Sequence, residues 1–218
     1  MSRIAIYGSG GAAREVAWLL EDLCGAGSEP HCYVDDDPAR QGKSVGGVPV
    51  IGFDSLCSDD TDDIEVIIAV GDCATRRKLA GRCAQAGLGF ATVVHSSVRR
   101  APSSVIGRGT IIAAGSIVSV DAVIGEHVYV NLDCTISHDV LLGDFVTLSP
   151  GVHIPGNVHV EEGVFIGTGA TFVHGTESAP LMIGHDSVVA AGACVTEPVK
   201  PNTMVAGVPA VQKKKGRA

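Results

Sequence analysis

Residues 106 to 142 read IGRGTIIAAGSIVSVDAVIGEHVYVNLDCTISHDVLL, and every sixth residue of this stretch is aliphatic. The series holds its step as far as Phe172: Ile106, Ile112, Val118, Ile124, Val130, Ile136, Leu142, Leu148, Ile154, Val160, Ile166, Phe172. Four residues after each from Ile106 to Ile166 comes a small or β-branched side chain: Thr110, Ser116, Ala122, Val128, Cys134, Val140, Val146, Val152, Val158, Val164 and Ala170. The phase slips by five residues between Val173 and Met182. It resumes at Ile183, Val189 and Val195, with Ser187, Ala193 and Val199 in the small position.

A period of six is neither that of an α-helix (about 3.6) nor that of a strand (about 2). It fits a solenoid of triangular cross-section, with one hexapeptide for each flat side and eighteen residues for each coil. The aliphatic side chain points into a narrow interior, and the small one lets the chain turn without crowding it. So narrow a prism has little room for large rings, which accounts for an aromatic content of only 4% beside 28 glycines.

The first part of the chain follows a different grammar. Ile4–Tyr7 predicts a strand that ends in Gly8-Ser9-Gly10-Gly11, and a helix follows from Ala12 to Cys24 with Val16, Leu19, Leu20 and Leu23 on one face. His31–Val34 predicts a second strand, closed by Asp35-Asp36-Asp37-Pro38. Glu65–Val70 is nearly continuously apolar, as a buried parallel strand is, and ends in Gly71-Asp72. A helix from about Ala74 to Ala86 and a last strand, Ala91–Val94, complete a small βαβ domain with a parallel sheet. The expected organisation is therefore an α/β domain over residues 1–98, a linker from His95 to Ser104, and an all-β parallel β-helix over 103–212.

Composition excludes several classes. Lys and Arg number 16 against 24 Asp and Glu, a net charge of −8, so no footprint for nucleic acid is present. The one basic cluster, Lys213-Lys214-Lys215 with Arg217, reads as a solvated tail. No segment approaches the roughly 18 apolar residues that span a bilayer. Met1–Gly8 lacks the apolar core of a secretory signal. The seven cysteines stand singly and form no Cys-x-x-Cys pair, which reads as reduced thiols in a cytoplasmic protein, with Cys134 in a small core position.

Gly8, Gly10 and Gly11 between a strand and a helix can present backbone N–H groups to a phosphate, or can simply form a tight turn against the sheet. Asp35 and Asp36 end a strand at the carboxyl edge where open α/β sheets bind ligands, or serve as turn formers. On the solenoid, His138 in Ile136-Ser137-His138-Asp139 is the candidate base, and Asp139 can orient its ring if the carboxylate folds back. Residues eighteen apart stack about 4.8 Å apart, as neighbouring strands do. Gly156 therefore lies one coil above His138, with His174 one coil further, and offers an unshielded N–H as an oxyanion donor. His174 lies in the segment of the phase slip, which reads as a solvated loop, and His153 and His159, six apart, fall on different sides of the prism.

The six-residue pattern resembles the left-handed β-helix of hexapeptide-repeat acyltransferases over residues 103–210. Nearly the whole chain resembles the NeuD/PglD group of sugar acetyltransferases. The matching pieces are Gly8-Ser9-Gly10-Gly11, Val34-Asp35-Asp36, Ala69-Val70-Gly71-Asp72 with Arg76, His138-Asp139, Gly156-Asn157-Val158, and the ending Val205-Ala206-Gly207-Val208-Pro209-Ala210. Ala12 and Cys73 stand where that group often has His and Asn. The resemblance implies acetyl-CoA-dependent N-acetylation of a nucleotide-linked 4-amino-4,6-dideoxy sugar in glycan biosynthesis, with no metal. It implies nucleotide-sugar binding by Gly8, Gly10, Gly11, Asp35, Asp36, Gly71 and Asp72, with Asn131 near the acceptor sugar. Coenzyme A contacts are implied for Gly156, Gly207 and Pro209, and small residues on late coils, Gly167, Gly169, Ala191 and Gly192, leave room for its pantetheine arm. It further implies a homotrimer with sites between neighbouring β-helices. An O-acetyltransferase acting on sialic acid or another sugar hydroxyl is the alternative. A β-helical zinc carbonic anhydrase would need a His-x4-His pair that the sequence lacks, and a non-catalytic scaffold would leave His138-Asp139 without a purpose.

Overall fold

In a computed structural model the described residues are 3–25, 30–58 and 63–213. Lys214, Lys215 and Arg217 of the basic tail, together with Met1 and Ser2, lie outside them. The chain divides into two compact units, Met1–Ser96 and Ser97–Ala218.

In the first unit β1 (Arg3–Tyr7) leads into α1 (Gly11–Cys24), β2 (Cys32–Val34), β3 (Ser44–Val45) and β4 (Val48–Ile51). A short α2 (Phe53–Ser58), β5 (Ile64–Ile68), α3 (Cys73–Gln85) and β6 (Gly89–Phe90) follow. The sheet order is β3-β4-β2-β1-β5-β6, parallel throughout except for the β3–β4 hairpin. Ala5, Ile6, Val66 and Ile67 on the two central strands are fully buried, which is why those strands read as continuous apolar runs. Val16, Leu19 and Leu20 of α1 are buried and Leu23 is partly exposed, so the predicted face is the one that packs.

Three details differ from the sequence reading. The β3–β4 hairpin was not expected; Gly46 and Gly47, with φ of 59° and 90°, supply the left-handed turn it needs. The short helix α2 was not expected either. The last strand of this sheet is Gly89–Phe90, not Ala91–Val94, and it pairs with Glu65 and Val66 of β5.

The second unit is a three-sided parallel β-helix. Side one carries Ile111–Ile112, Tyr129–Val130, Thr147–Leu148, Phe165–Ile166, Val188–Val189 and Met204–Ala206. Side two carries Arg99–Arg100, Ile117–Val118, Thr135–Ile136, His153–Ile154, Thr171–Phe172 and Cys194–Val195. Side three carries Val105–Ile106, Val123–Ile124, Leu141–Leu142, Val158–Val160 and Leu181–Ile183. Pairing is parallel at the eighteen-residue spacing, as in Ile112 with Val130 and Val130 with Leu148. Both members of each hexapeptide face inward: Ile112, Ile124, Leu148, Val140 and Val152 are all at most 1% exposed. Thr110 and Ser116 are buried hydroxyls that find partners between coils, Thr110 Oγ1 donating to the Gly125 carbonyl at 2.9 Å and Ser116 Oγ to the Asn131 carbonyl at 3.0 Å. Cys134 fills an interior position, and burial pushes its thiol up to about 11.

The first coil begins earlier than the repeat suggested. Arg99–Arg100 already pairs with Ile117–Val118, inside the stretch read as a linker. Position 100 carries an exposed arginine instead of an aliphatic, so the periodic signal starts one side late. At the other end Val211–Lys213 folds back antiparallel on Met204–Ala206. No helix among the described residues is long and apolar enough to cross a membrane.

Asp72 caps α3, its carboxylate accepting the Thr75 amide at 2.8 Å, and this bond holds the carboxyl below the usual carboxylate range. The carboxylate stabilises the fold at any pH above its ordinary value near 3.9, and that stabilisation disappears as pH falls through the lowered folded value. Asp72→Ala is therefore expected to cost about 1 kcal/mol at pH 7. Urea unfolding of the two chains should show this difference shrinking as the pH drops below about 4.

Candidate active site

The three corners of the prism bear different side chains, because each corner stacks the same hexapeptide position coil upon coil. At the corner between sides two and three, Asp121, Asp139 and Asn157 succeed one another at eighteen-residue steps. All three adopt the left-handed conformation, with φ of 56°, 57° and 55°. Asp and Asn tolerate that region best among residues with side chains. The turn of Asp139 folds its carboxylate back onto His138, with Oδ2 2.7 Å from Nδ1. A carboxylate at Nδ1 selects the tautomer that carries its proton there and leaves Nε2 able to accept one. Both side chains are about half exposed, so the dyad is open to a substrate.

Gly156 lies directly over the ring. A Cβ there would come within 2.5 Å of His138 Nε2, so no side chain fits while the ring holds this position. Gly156 is buried, and among the described residues its amide donates no backbone hydrogen bond. Buried amides without partners are rare.

A cleft of about 560 Å³ opens at the same corner, lined by Asp121, Asp139, Leu141, Asn157, His159 and Glu177. Apart from Asp139, sequence reasoning missed these residues as a set. Asp121 and Asn157 were within reach of it, standing eighteen residues to either side of Asp139. His153 and His159 lie on different sides, as expected, and only His159 lines the cleft. His174 is exposed and is not part of the lining.

Comparison with other histidines shows what distinguishes this one. His127 is buried beneath Phe145, with ring centroids 5.2 Å apart, and a Cβ at Gly109 would strike its ring. It is packing. His185 and Asp186 repeat the dyad at another corner at 3.3 Å, and Asn202 N donates to the His185 carbonyl just as Asn157 N does to that of His138. The residue before Asn202 is Pro201, which has no N–H, whereas the one before Asn157 is Gly156. Of these two pairs, the His138 one has beside it an amide that donates no backbone hydrogen bond among the described residues.

The remaining predicted residues of this unit gather elsewhere. Asn131, Gly167, Gly169, Ala191 and Gly192 follow strands of side one, at the corner between sides one and two. The Gly207-Val208-Pro209 turn joins them: Cys194 N donates to the Gly207 carbonyl at 3.0 Å, and Ala210 N to the Cys194 carbonyl at 2.7 Å. A Cβ at Gly167 would meet the Ala191 amide at 2.5 Å, so these coils approach too closely for any side chain. Asn131 Oδ1 accepts the Leu132 amide at 2.8 Å.

In the first unit Gly8 (φ 109°) donates to the Val34 carbonyl at 2.7 Å, and a Cβ would sit 3.1 Å from the Ala69 carbonyl oxygen. The glycine therefore closes the β1–α1 turn against two neighbouring strands. Gly10 caps α1 without a side chain and Gly11 begins it, leaving that helix end open to an anion. Ser9 Oγ donates to Asp35 Oδ2, and Arg40 Nη1 donates to Ser9 Oγ at 3.0 Å. Asp36 accepts from Tyr7 Oη at 3.0 Å and from Arg82 Nη1 at 2.8 Å, while Arg82 lies over the Phe53 ring at 3.9 Å. Burial and the Asp36 carboxylate hold the Tyr7 phenol well above its ordinary value. Arg76, fully buried, donates to the carbonyls of Val70 at 2.7 Å and Gly71 at 3.2 Å and so braces the turn before α3. Asp72, read from sequence as a ligand, caps α3 through Oδ1.

Residues 3–83 match the PglD N-terminal domain family. No match was found among curated protein sequences. Among solved structures, the chain is similar to WeeI from Acinetobacter baumannii, with 29% identity, coverage of 97% of this chain and 99% of that one, and a TM-score of 0.91. It is 32% identical to the acetyltransferase domain of PglB from Neisseria gonorrhoeae over 98% of this chain and all of that one, with a TM-score of 0.85; a second structure of that domain contains acetyl coenzyme A. PerB from Caulobacter crescentus, solved with CoA and GDP-perosamine, is 30% identical over 98% of each chain, with a TM-score of 0.87.

Two substitutions test the dyad without recourse to activity. Nitrogen NMR of the full chain should show His138 as the Nδ1–H tautomer in the wild type and as a tautomer mixture in Asp139→Ala. Gly156→Ala should move the same resonances, because its methyl group occupies the place of the ring. Unchanged spectra in both would refute the geometry.

Proposed function

This chain belongs to the PglD-type family of sugar N-acetyltransferases, and on that premise we propose that it transfers acetyl from acetyl-CoA to the amine of a nucleotide-linked 4-amino-4,6-dideoxy sugar. The observation that carries the reading is the His138–Asp139 pair seated against the unspent, buried amide of Gly156. The amine nitrogen attacks the thioester carbonyl carbon while His138 Nε2 takes its proton. The Gly156 amide stabilises the oxyanion as the N–C bond forms. The C–S bond then breaks, and the thiolate collects the proton from His138. Asp139 keeps the ring in the required tautomer and offsets the imidazolium charge.

The first unit holds the nucleotide. The open start of α1 at Gly10 and Gly11 suits a diphosphate, and the turn Gly71-Asp72 borders the same strand ends. Asp35 and Asp36, held by Ser9, Tyr7 and Arg82, keep acceptor oxygens in fixed positions for a base or a ribose. The substrate is a UDP-, GDP- or dTDP-linked sugar of glycan biosynthesis, and the reaction takes place in the cytoplasm.

The enzyme acts as a homotrimer. Base and oxyanion donor sit at one corner of the prism, while Asn131, the small late-coil residues and the Gly207–Pro209 turn sit at another. A second copy placing its one-two corner against the two-three corner of the first completes the site, with the pantetheine arm along Gly167, Gly169, Ala191 and Gly192. Side three supports such an assembly with a ladder of outward aliphatics, Val105, Val123 and Leu141, each at least 40% exposed.

Coenzyme A release should be seen with one of a panel of UDP-, GDP- and dTDP-4-amino-4,6-dideoxy sugars, and His138→Ala should lower kcat by about 10²- to 10⁴-fold. Turnover that survives the substitution would remove His138 as the base. Light scattering should give a mass near three times 22.3 kDa. Val123→Asp, in the middle of the apolar ladder, should yield single chains with little turnover.

A further inference from the structure

The phase slip is a built feature. Val158–Val160 pairs with Leu181–Ile183 at a spacing of 23 residues instead of eighteen. Gly175 N donates to the Gly156 carbonyl at 3.0 Å, and Leu181 N donates to the next carbonyl, that of Asn157, also at 3.0 Å. The coil therefore proceeds from Gly175 to Leu181 as though Thr176–Pro180 were absent. Those five residues leave the prism as a closed hairpin, with Thr176 and Ala179 exchanging backbone bonds of 3.0 and 3.1 Å. A Cβ at Gly175 would come within 2.6 Å of the Leu181 amide, so only glycine leaves the throat this narrow. At the hairpin tip stands Glu177, which lines the same cleft as Asp139 of the dyad.

We propose that Glu177 is an acceptor-specificity residue, which holds the substrate amine at the mouth of the His138–Asp139 dyad and keeps sugar acids out. The assignment rests on the N-acetyltransferase reading and decides between its acceptors. An aliphatic amine arrives as an ammonium ion near neutral pH and must lose a proton before it can attack. A carboxylate attracts that ion yet is too weak a base to keep its proton, which passes to solvent before the attack, so that neutral His138 accepts the second proton as the N–C bond forms. Asp139 is committed to the imidazole, whereas Asp121 and Glu177 make no ion pair among the described residues. The lining contains no lysine or arginine. An acceptor bearing its own carboxylate, such as a sialic acid, meets like charge here, and an amino sugar meets opposite charge.

The test compares wild type, Glu177→Gln and a chain lacking Thr176–Pro180, which restores the regular coil. Substrates are the amino sugar that the wild type accepts and acetyl-CoA, with sialic acid as a trial acceptor. Glu177→Gln should raise KM for the amino sugar about 10- to 100-fold, as loss of a hydrogen bond to a charged group does, with kcat changed less than about threefold. KM for acetyl-CoA should not move. The wild-type KM for the amino sugar should rise with salt more steeply than that of Glu177→Gln. The shortened chain should behave like Glu177→Gln. A wild type that acetylates the amino sugar while both variants keep its KM within twofold overturns the role of Glu177 and leaves the transferase standing. Equal rises in KM for both substrates, with a lower Tm, also overturn it by making the hairpin merely structural. A wild type that acetylates sialic acid and no amino sugar overturns the transferase reading and this one together.

Discussion

Everything in the second unit depends on a dry interior only wide enough for one aliphatic and one small side chain per flat side. That limit fixes the length of a side at six residues, so a regular coil closes after eighteen and each of its residues lies above its counterpart in the coil below. Function is written in this register. A corner residue finds the same corner position above it, so His138 receives Gly156 as its neighbour without a loop having to be folded over it. Rigidity follows as well, because each coil bonds to the next through parallel ladders. The dyad is therefore carried on the framework itself.

The same periodicity decides how much the sequence discloses. Interior positions such as Ile124, Leu148 and Val152 were legible because a wrong residue there has nowhere to go. The first coil was obscured because Arg100 is exposed and escapes the rule. In the α/β unit the buried strands announced themselves through their apolar runs, whereas Ser44–Val45 and Val48–Ile51 are too short and too mixed to stand out. Periodicity predicts which residues stack but says nothing of a segment that leaves the stack, and so the position of Glu177 could not be read.

Side-chain partners drawn from distant parts of the chain were equally hidden. Asp36 looks free in sequence, yet it is held by Tyr7 and by Arg82, residues that only the sheet brings together. Asp72 also caps a helix, a role hidden in sequence because its partner is an amide that no residue type reveals. His138 and Asp139 were readable as neighbours, but their contact depends on the left-handed turn at Asp139. His185 and Asp186 show that adjacency by itself distinguishes nothing; the glycine or proline one coil on does.

The end of the chain has a bearing on solubility. A parallel solenoid that simply stopped would present three bare strand edges, each a template on which another molecule could continue the stack. Here each final strand is already occupied. Val211–Lys213 reverses direction along Met204–Ala206, Gly207 and Ala210 bond to both backbone groups of Cys194, and Val199 bridges Met182 and Gly184. The tail that resembles a coenzyme-binding element thus also ends the fibre that the repeat would otherwise begin.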